Sequence, residues 1–262
     1  MNQSTSQNRM LVLHALEAGG CVAARAEADA LLRASSEGAG PIDELLSRRL
    51  GGEPLAWITG WAPFCGLRVR VHRGVFVPRP HTQAMARRAV SLLPAAGTAV
   101  DLCTGSGAVA AVLGAAHPRA TVVATDIDPV AVACARGNGV RALVGDLDEP
   151  LSQSLHGRVD LVTAVVPYVP TEELHLLPRD VLANEPRGAL DGGSRGTTVL
   201  VRAAQAAARW LRPGGSVLLE LGGDQAEELA TTLVDLGLSR IRVHRDGSGQ
   251  DRAIEARRTE AE

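Results

Sequence analysis

An acidic residue, two glycines and a helix in immediate succession constrain the chain around residue 101 more than anything else in it. Asp101-Leu102-Cys103-Thr104-Gly105-Ser106-Gly107-Ala108 follows the apolar stretch Thr98-Ala99-Val100. This reads as strand, tight turn and helix start. Glycine adopts such a turn and puts no side chain in a ligand's way. The first turn of the helix presents unpaired N–H groups. A chain with this feature has to place strand and helix side by side, as α/β folds do.

The alternation continues to the C-terminus. Strands are predicted over 98–102, 121–126, 140–144, 159–166, 215–221, 240–244 and 252–256. Helices are predicted over 82–93, 107–116, 129–137, 197–210 and 224–236. The pattern implies a mostly parallel sheet covered on both faces, with the ligand at the carboxyl ends of its strands. Residues 10–57 carry apolar side chains at helical spacing, punctuated by Gly19-Gly20 and Gly38-Ala39-Gly40-Pro41. Residues 64–77 alternate, with Arg73-Gly74 as the expected hairpin turn. The expected division is a helical domain over 1–62, a β-hairpin linker over 63–80 and an α/β domain over 81–262.

The glycine turn alone leaves two ligands open, because Gly105-Ser106-Gly107-Ala108-Val109-Ala110 also fits a dinucleotide fingerprint. Acidic residues favour S-adenosylmethionine (SAM). Asp101 would repel a pyrophosphate but suits an ammonium and a sulfonium. Asp126 closes the next strand about 20 residues on, where a carboxylate can accept both ribose hydroxyls. Asp146 closes a third apolar run. The candidate cofactor residues are Asp101, Cys103, Thr104, Gly105, Ser106, Gly107, Asp126, Ile127, Asp146, Leu147 and Val165.

Composition excludes several classes. A net charge of −2 gives no nucleic-acid footprint, and 2% aromatics gives no stacking platform. Cys21, Cys65, Cys103 and Cys134 have no metal spacing, so no metal is expected and the thiols read as reduced. The polar Met1 to Arg9 is no signal peptide, and no apolar run approaches the ~20 residues of a membrane span. These features place the protein in the cytoplasm, without a membrane or nucleic-acid partner; nothing in them marks an oligomeric state.

Longer motifs resemble the HemK-type protein-(glutamine-N5) methyltransferases over nearly the whole chain. Gly52-Glu53-Pro54-Leu55-Ala56-Trp57-Ile58-Thr59-Gly60 resembles the end of that family's helical domain. Phe76-Val77-Pro78-Arg79-Pro80 resembles its linker, Asp101 to Gly107 its first SAM motif, and Glu220-Leu221-Gly222 with Asp251-Arg252 its late segments. Asn184-Glu185-Pro186 with Ala189-Leu190-Asp191-Gly192-Gly193 and Gly196 resembles its E-P-x-x-A-L-x-G-G-x-x-G block. The resemblance implies a class I SAM-methyltransferase sheet, SAM as cofactor, S-adenosylhomocysteine as product, and glutamine in a release factor or ribosomal protein as acceptor.

Two departures fall at the acceptor side. Where the family has Asn-Pro-Pro-Tyr, this chain has Val165-Val166-Pro167-Tyr168. The family's Asn holds the substrate amide; valine forms no hydrogen bond, and an unpaired amide costs ~1–3 kcal/mol per group. Pro80-His81-Thr82-Gln83 stands where the family has Pro-Glu-Thr-Glu. The expected acceptor is therefore a small apolar or aromatic metabolite, methylated or closed into a cyclopropane ring as in antibiotic biosynthesis. Val165, Val166, Pro167, Tyr168 and Glu185 would line its site, Tyr168 would frame the reaction, and His81 would be general base. The alternatives are the family's own protein-glutamine reaction and a non-catalytic SAM-binding partner protein.

Overall fold

The structure is a computed structural model and describes residues 3–259. Four helices come first: α1 (Gln3–Ala18), α2 (Ala24–Ser36), α3 (Ile42–Leu50) and α4 (Leu55–Thr59). Val12, Leu16, Ala28, Leu31, Leu45 and Ile58 close a core of their own between them. Glycine at positive φ ends α4 at Gly60.

Strands β1 (Trp61–Phe64) and β2 (Leu67–Arg70) then form an antiparallel hairpin. Its turn is Cys65-Gly66, both at positive φ (48° and 81°), as a two-residue hairpin requires. The expected turn at Arg73-Gly74 lies beyond the hairpin, in the linker. Alternation misled here because Val71 continues the buried face of Val69 without continuing the strand. The Val71 N–H donates instead to Gly60 O. The Arg68 guanidinium lies 4.1 Å over the Trp61 ring and pairs with Glu37 at the C-cap of α2, which ties hairpin to helices.

The remainder alternates: α5 (Thr82–Leu92), β3 (Thr98–Leu102), α6 (Ala108–Ala116), β4 (Thr121–Asp126), α7 (Pro129–Gly137), β5 (Arg141–Val144), β6 (Val159–Ala164), α8 (Arg179–Asn184), α9 (Thr198–Trp210), β7 (Leu211–Glu220), α10 (Ala226–Asp235), β8 (Leu238–Arg245) and β9 (Asp251–Arg258). The seven-stranded sheet runs β5-β4-β3-β6-β7-β9-β8; its first five strands are parallel, and β9 pairs antiparallel with both β7 and β8. Period-two alternation fills both faces. Val100 and Leu102 pack with Val162 and Leu219 under α9 and α10, while Ala99, Leu161 and Leu218 pack under α5 and α6. β7 starts four residues earlier than the Pro-Gly-Gly of 213–215 suggested, through a register shift against β6.

The chain reverses across the sheet between β3 and β6, so the carboxyl ends of β3, β4 and β6 surround a crevice. The two glycines of the first turn act differently there. Gly105 (φ +56°) has open space where a Cβ would be. Gly107 (φ +78°) would press a Cβ to 2.9 Å from Ala135 Cβ, so it is the contact point of α6 with α7. Gly105→Ala should cost only the left-handed backbone strain, about 1–2 kcal/mol. Gly107→Ala should cost a further 1–3 kcal/mol or so from overpacking. Urea unfolding of both variants checks this; equal midpoints would contradict it.

Candidate active site

A cavity of about 400 Å³ fills the crevice at the strand ends. Asp101 closes β3 and is buried, its Oδ2 accepting from Thr104 Oγ1 (2.6 Å) and its Oδ1 from Thr163 Oγ1 (2.6 Å). Thr163 is its register partner on β6. Burial outweighs these two bonds and raises the Asp101 carboxyl to about 6.

Asp126 closes β4 half-exposed and braces the glycine turn. Its Oδ2 accepts from the Gly105 N–H (2.8 Å) and its Oδ1 from the Asp128 N–H (3.0 Å). Burial raises this carboxyl too, against those bonds. Asp146 pairs with Arg202 at 2.8 Å on the cavity rim. Cys103 is held at φ +53°. Burial, then Asp126, Asp101 and Asp146, push its thiol up, which removes it as a nucleophile near neutral pH.

Asp101, Cys103, Thr104, Gly105 and Ser106 all line the cavity. So do Asp126, Ile127, Asp146, Leu147, Val165 and Pro167. Ile127 is 69% exposed beside Asp126, although it is large and apolar. An apolar face next to a carboxylate suits a ligand that carries a flat base on a ribose. With the open space over Gly105, these residues fit SAM.

The other candidates lie off the cavity wall. Gly107 is behind it, against Ala135. Val166 points into the α9-side core, so the expected apolar wall of Val165 to Tyr168 is made by Val165 and Pro167 alone. Successive residues of an extended segment face opposite ways, which is the physical reason. The Tyr168 hydroxyl and His81 Nε2 turn instead to the buried Glu220. Glu185 is a tie: it pairs with Arg79 at 2.8 Å and accepts from the Val77 N–H, holding the linker against the 184–191 segment. Burial raises the Glu185 carboxyl, with Arg79 opposing.

Four further residues build the site. Arg79 lines the cavity and lies 4.5 Å over the Phe76 ring. Thr82 lines it with a buried hydroxyl that has no partner among the described residues. Asn138 bonds Arg70 at both N and O and donates to Ser106 O, joining hairpin, α7 and glycine turn. Glu220 is the fourth. The Asn at a helix end after Gly137 was a visible cap signal; its partners were not.

Comparison with known proteins now decides the class. A family model described as methyltransferase small domain matches residues 66–148. A release factor glutamine methyltransferase from Bordetella pertussis is 39% identical over 217 residues, 80% of this chain and 79% of the relative. One from Geobacter sulfurreducens is 36% identical over 219 residues, 81% of this chain and 76% of the relative.

The chain belongs to the release factor glutamine methyltransferase (HemK) family.

It is a SAM-dependent methyltransferase with the class I fold. A methyltransferase structure from Pyrococcus furiosus shares that fold, with TM-score 0.55 and 19% identity over 74% of this chain and 90% of the other. The expected small-metabolite partner is corrected by these relatives, which are named for a protein acceptor. Ring closure and antibiotic biosynthesis find no support among them. No helix among the described residues is long and apolar enough to cross a membrane, and no group of metal-binding side chains occurs among them.

The Asp101 shift gives a pH dependence. A carboxyl that holds its proton up to about 6 in the fold and to 3.8 when free stabilises the fold below the lower value. That contribution is lost as pH rises through the upper one. Asp101→Asn should remove this fall, worth roughly 2 kcal/mol between pH 4 and 7 at ~1.4 kcal/mol per unit. Urea unfolding of both proteins across that range is the check, and parallel curves would refute the assignment. The ionised carboxylate attracts an ammonium, so S-adenosylhomocysteine should bind wild type more weakly as pH falls below about 6.

Proposed function

We propose that this enzyme methylates the side-chain amide nitrogen of a glutamine in a release factor. When bound, SAM supplies a methyl group already activated on sulfur. The protein's share is then to bring acceptor and cofactor together and to exclude water. The observation that carries the reading is the Arg79–Glu185 pair, 2.8 Å, in which Arg79 lines the cavity and Glu185 lies behind its wall. It joins the two segments, 76–80 and 184–196, whose motifs separate this family from other SAM enzymes.

Val165 cannot hold the amide. Its hydrogen bonds must come from main-chain groups of the 165–168 loop or from Thr82, whose buried Oγ1 is unpaired on the same cavity. One missing partner costs ~1–3 kcal/mol. The reading also places the protein in the cytoplasm, supported by four free thiols.

Incubation with labelled SAM and a release factor carrying Gly-Gly-Gln should put label on that glutamine. Val165→Asn, which restores the amide-holding side chain, should speed the reaction about tenfold or more, the factor for ~1.4 kcal/mol. No label with either protein would overturn the reading.

A further inference from the structure

Glu220 ends β7 with its side chain 1% exposed, and an ionised carboxylate at that depth needs donors. It has two. His81 Nε2 lies 3.3 Å from Glu220 Oε1, and the Tyr168 hydroxyl donates to the same oxygen at 3.3 Å. His81 Nε2 and the Tyr168 hydroxyl are themselves 3.4 Å apart. The three residues come from the N-terminus of α5, the end of β7 and the loop after β6, and meet behind the cavity wall.

Glu220 dictates the imidazole's protonation pattern. A bare Nε2 facing a carboxylate would set two lone pairs against each other, so Nε2 carries the hydrogen whether the ring is neutral or charged. His81 therefore has no basic nitrogen free on this side, and it does not line the cavity. The Tyr168 phenol is raised by burial first and by Glu220 second, as a donor to a carboxylate should be. Arg79 of the linker and Arg252 of β9 are the other charges acting on that hydroxyl. The Tyr168 ring also packs on Gly222, where a Cβ would come within 3.0 Å of Cε2. Gln225 Nε2 donates to Tyr168 O at 2.8 Å.

We propose that His81, Glu220 and Tyr168 form one positioning unit. Through it, His81 acts as a fixed Nε2–H donor that holds the end of the 165–168 loop, and so the placement of Val165 and Pro167 on the acceptor side. The proposal rests on reading that loop as the acceptor loop. It gives His81 a holding role in place of the general-base role expected from sequence.

Glutamine separates the two roles, because it donates an N–H and cannot accept a proton. On a release-factor substrate, His81→Gln should keep kcat within about threefold of wild type, with an unchanged pH profile. His81→Ala and Tyr168→Phe should lose about tenfold or more in kcat while KM for SAM holds. His81→Gln as slow as His81→Ala, with the acid limb of the profile abolished, would make His81 a proton acceptor and overturn the proposal. Wild-type kinetics in all variants would overturn it as well.

A second readout needs no acceptor. The chain has one tyrosine, so 13Cζ-labelled tyrosine gives a single NMR signal. That signal should shift in His81→Ala, which removes a neighbour 3.4 Å from the hydroxyl, and stay closer to its wild-type position in His81→Gln. An unchanged signal in His81→Ala would dissolve the unit. A shifted signal in a protein that leaves the release factor unlabelled would instead remove the acceptor and keep the unit.

Discussion

The carboxylate of Asp126 holds the crevice in shape. It accepts the N–H of Gly105 from the neighbouring strand's turn and the N–H of Asp128 from its own. Two loops that follow different strands are thereby fixed to one side chain. Asp128 in turn caps α7 by accepting from the Val130 N–H. α7 is also the helix on which Gly107 rests and from which Asn138 reaches Ser106 and the hairpin. Loosening Asp126 would let the glycine turn, α7 and the linker drift apart. Each oxygen still has a lone pair free for a ligand hydroxyl.

Electrostatics make the same region costly. Asp101, Asp126 and Asp146 converge on Cys103, and the first two are pushed toward their neutral forms by burial. Nothing basic among the described residues is paired with Asp101; two threonine hydroxyls are its side-chain donors. A structural core would replace such a carboxylate with an apolar residue. Its persistence at the end of β3 makes sense if a cationic ligand repays the burial when it binds, which is how a site can be destabilised alone and stable when loaded.

Much of this was legible in the sequence because it is local. A carboxylate after an apolar run, a glycine four residues later and a helix beyond specify strand, turn and helix within one short segment. The strand and helix limits from 98 to 137 followed within a residue. The misses are non-local or stereochemical. Cys65 occupies a left-handed turn position that glycine or asparagine usually announces, so Arg73-Gly74 took its place in the reading. Val166 was grouped with Val165, though neighbours in an extended segment face opposite ways. His81 and Glu220 stand 139 residues apart, and no spacing rule joins them. The small-metabolite acceptor was read from two changed segments, 165–168 and 80–83; relatives named for a protein acceptor correct that reading.

Calorimetric titration of S-adenosylhomocysteine into wild type and Asp126→Ala is the most direct test of the site. Hydrogen bonds to a charged group contribute ~1.5–3 kcal/mol each. With circular dichroism confirming a retained fold, the variant should bind at least tenfold more weakly, and 100-fold if the glycine turn also relaxes. Equal affinity in the two proteins would mean that the cofactor does not depend on the carboxylate at the end of β4, and the assignment of this crevice would fail.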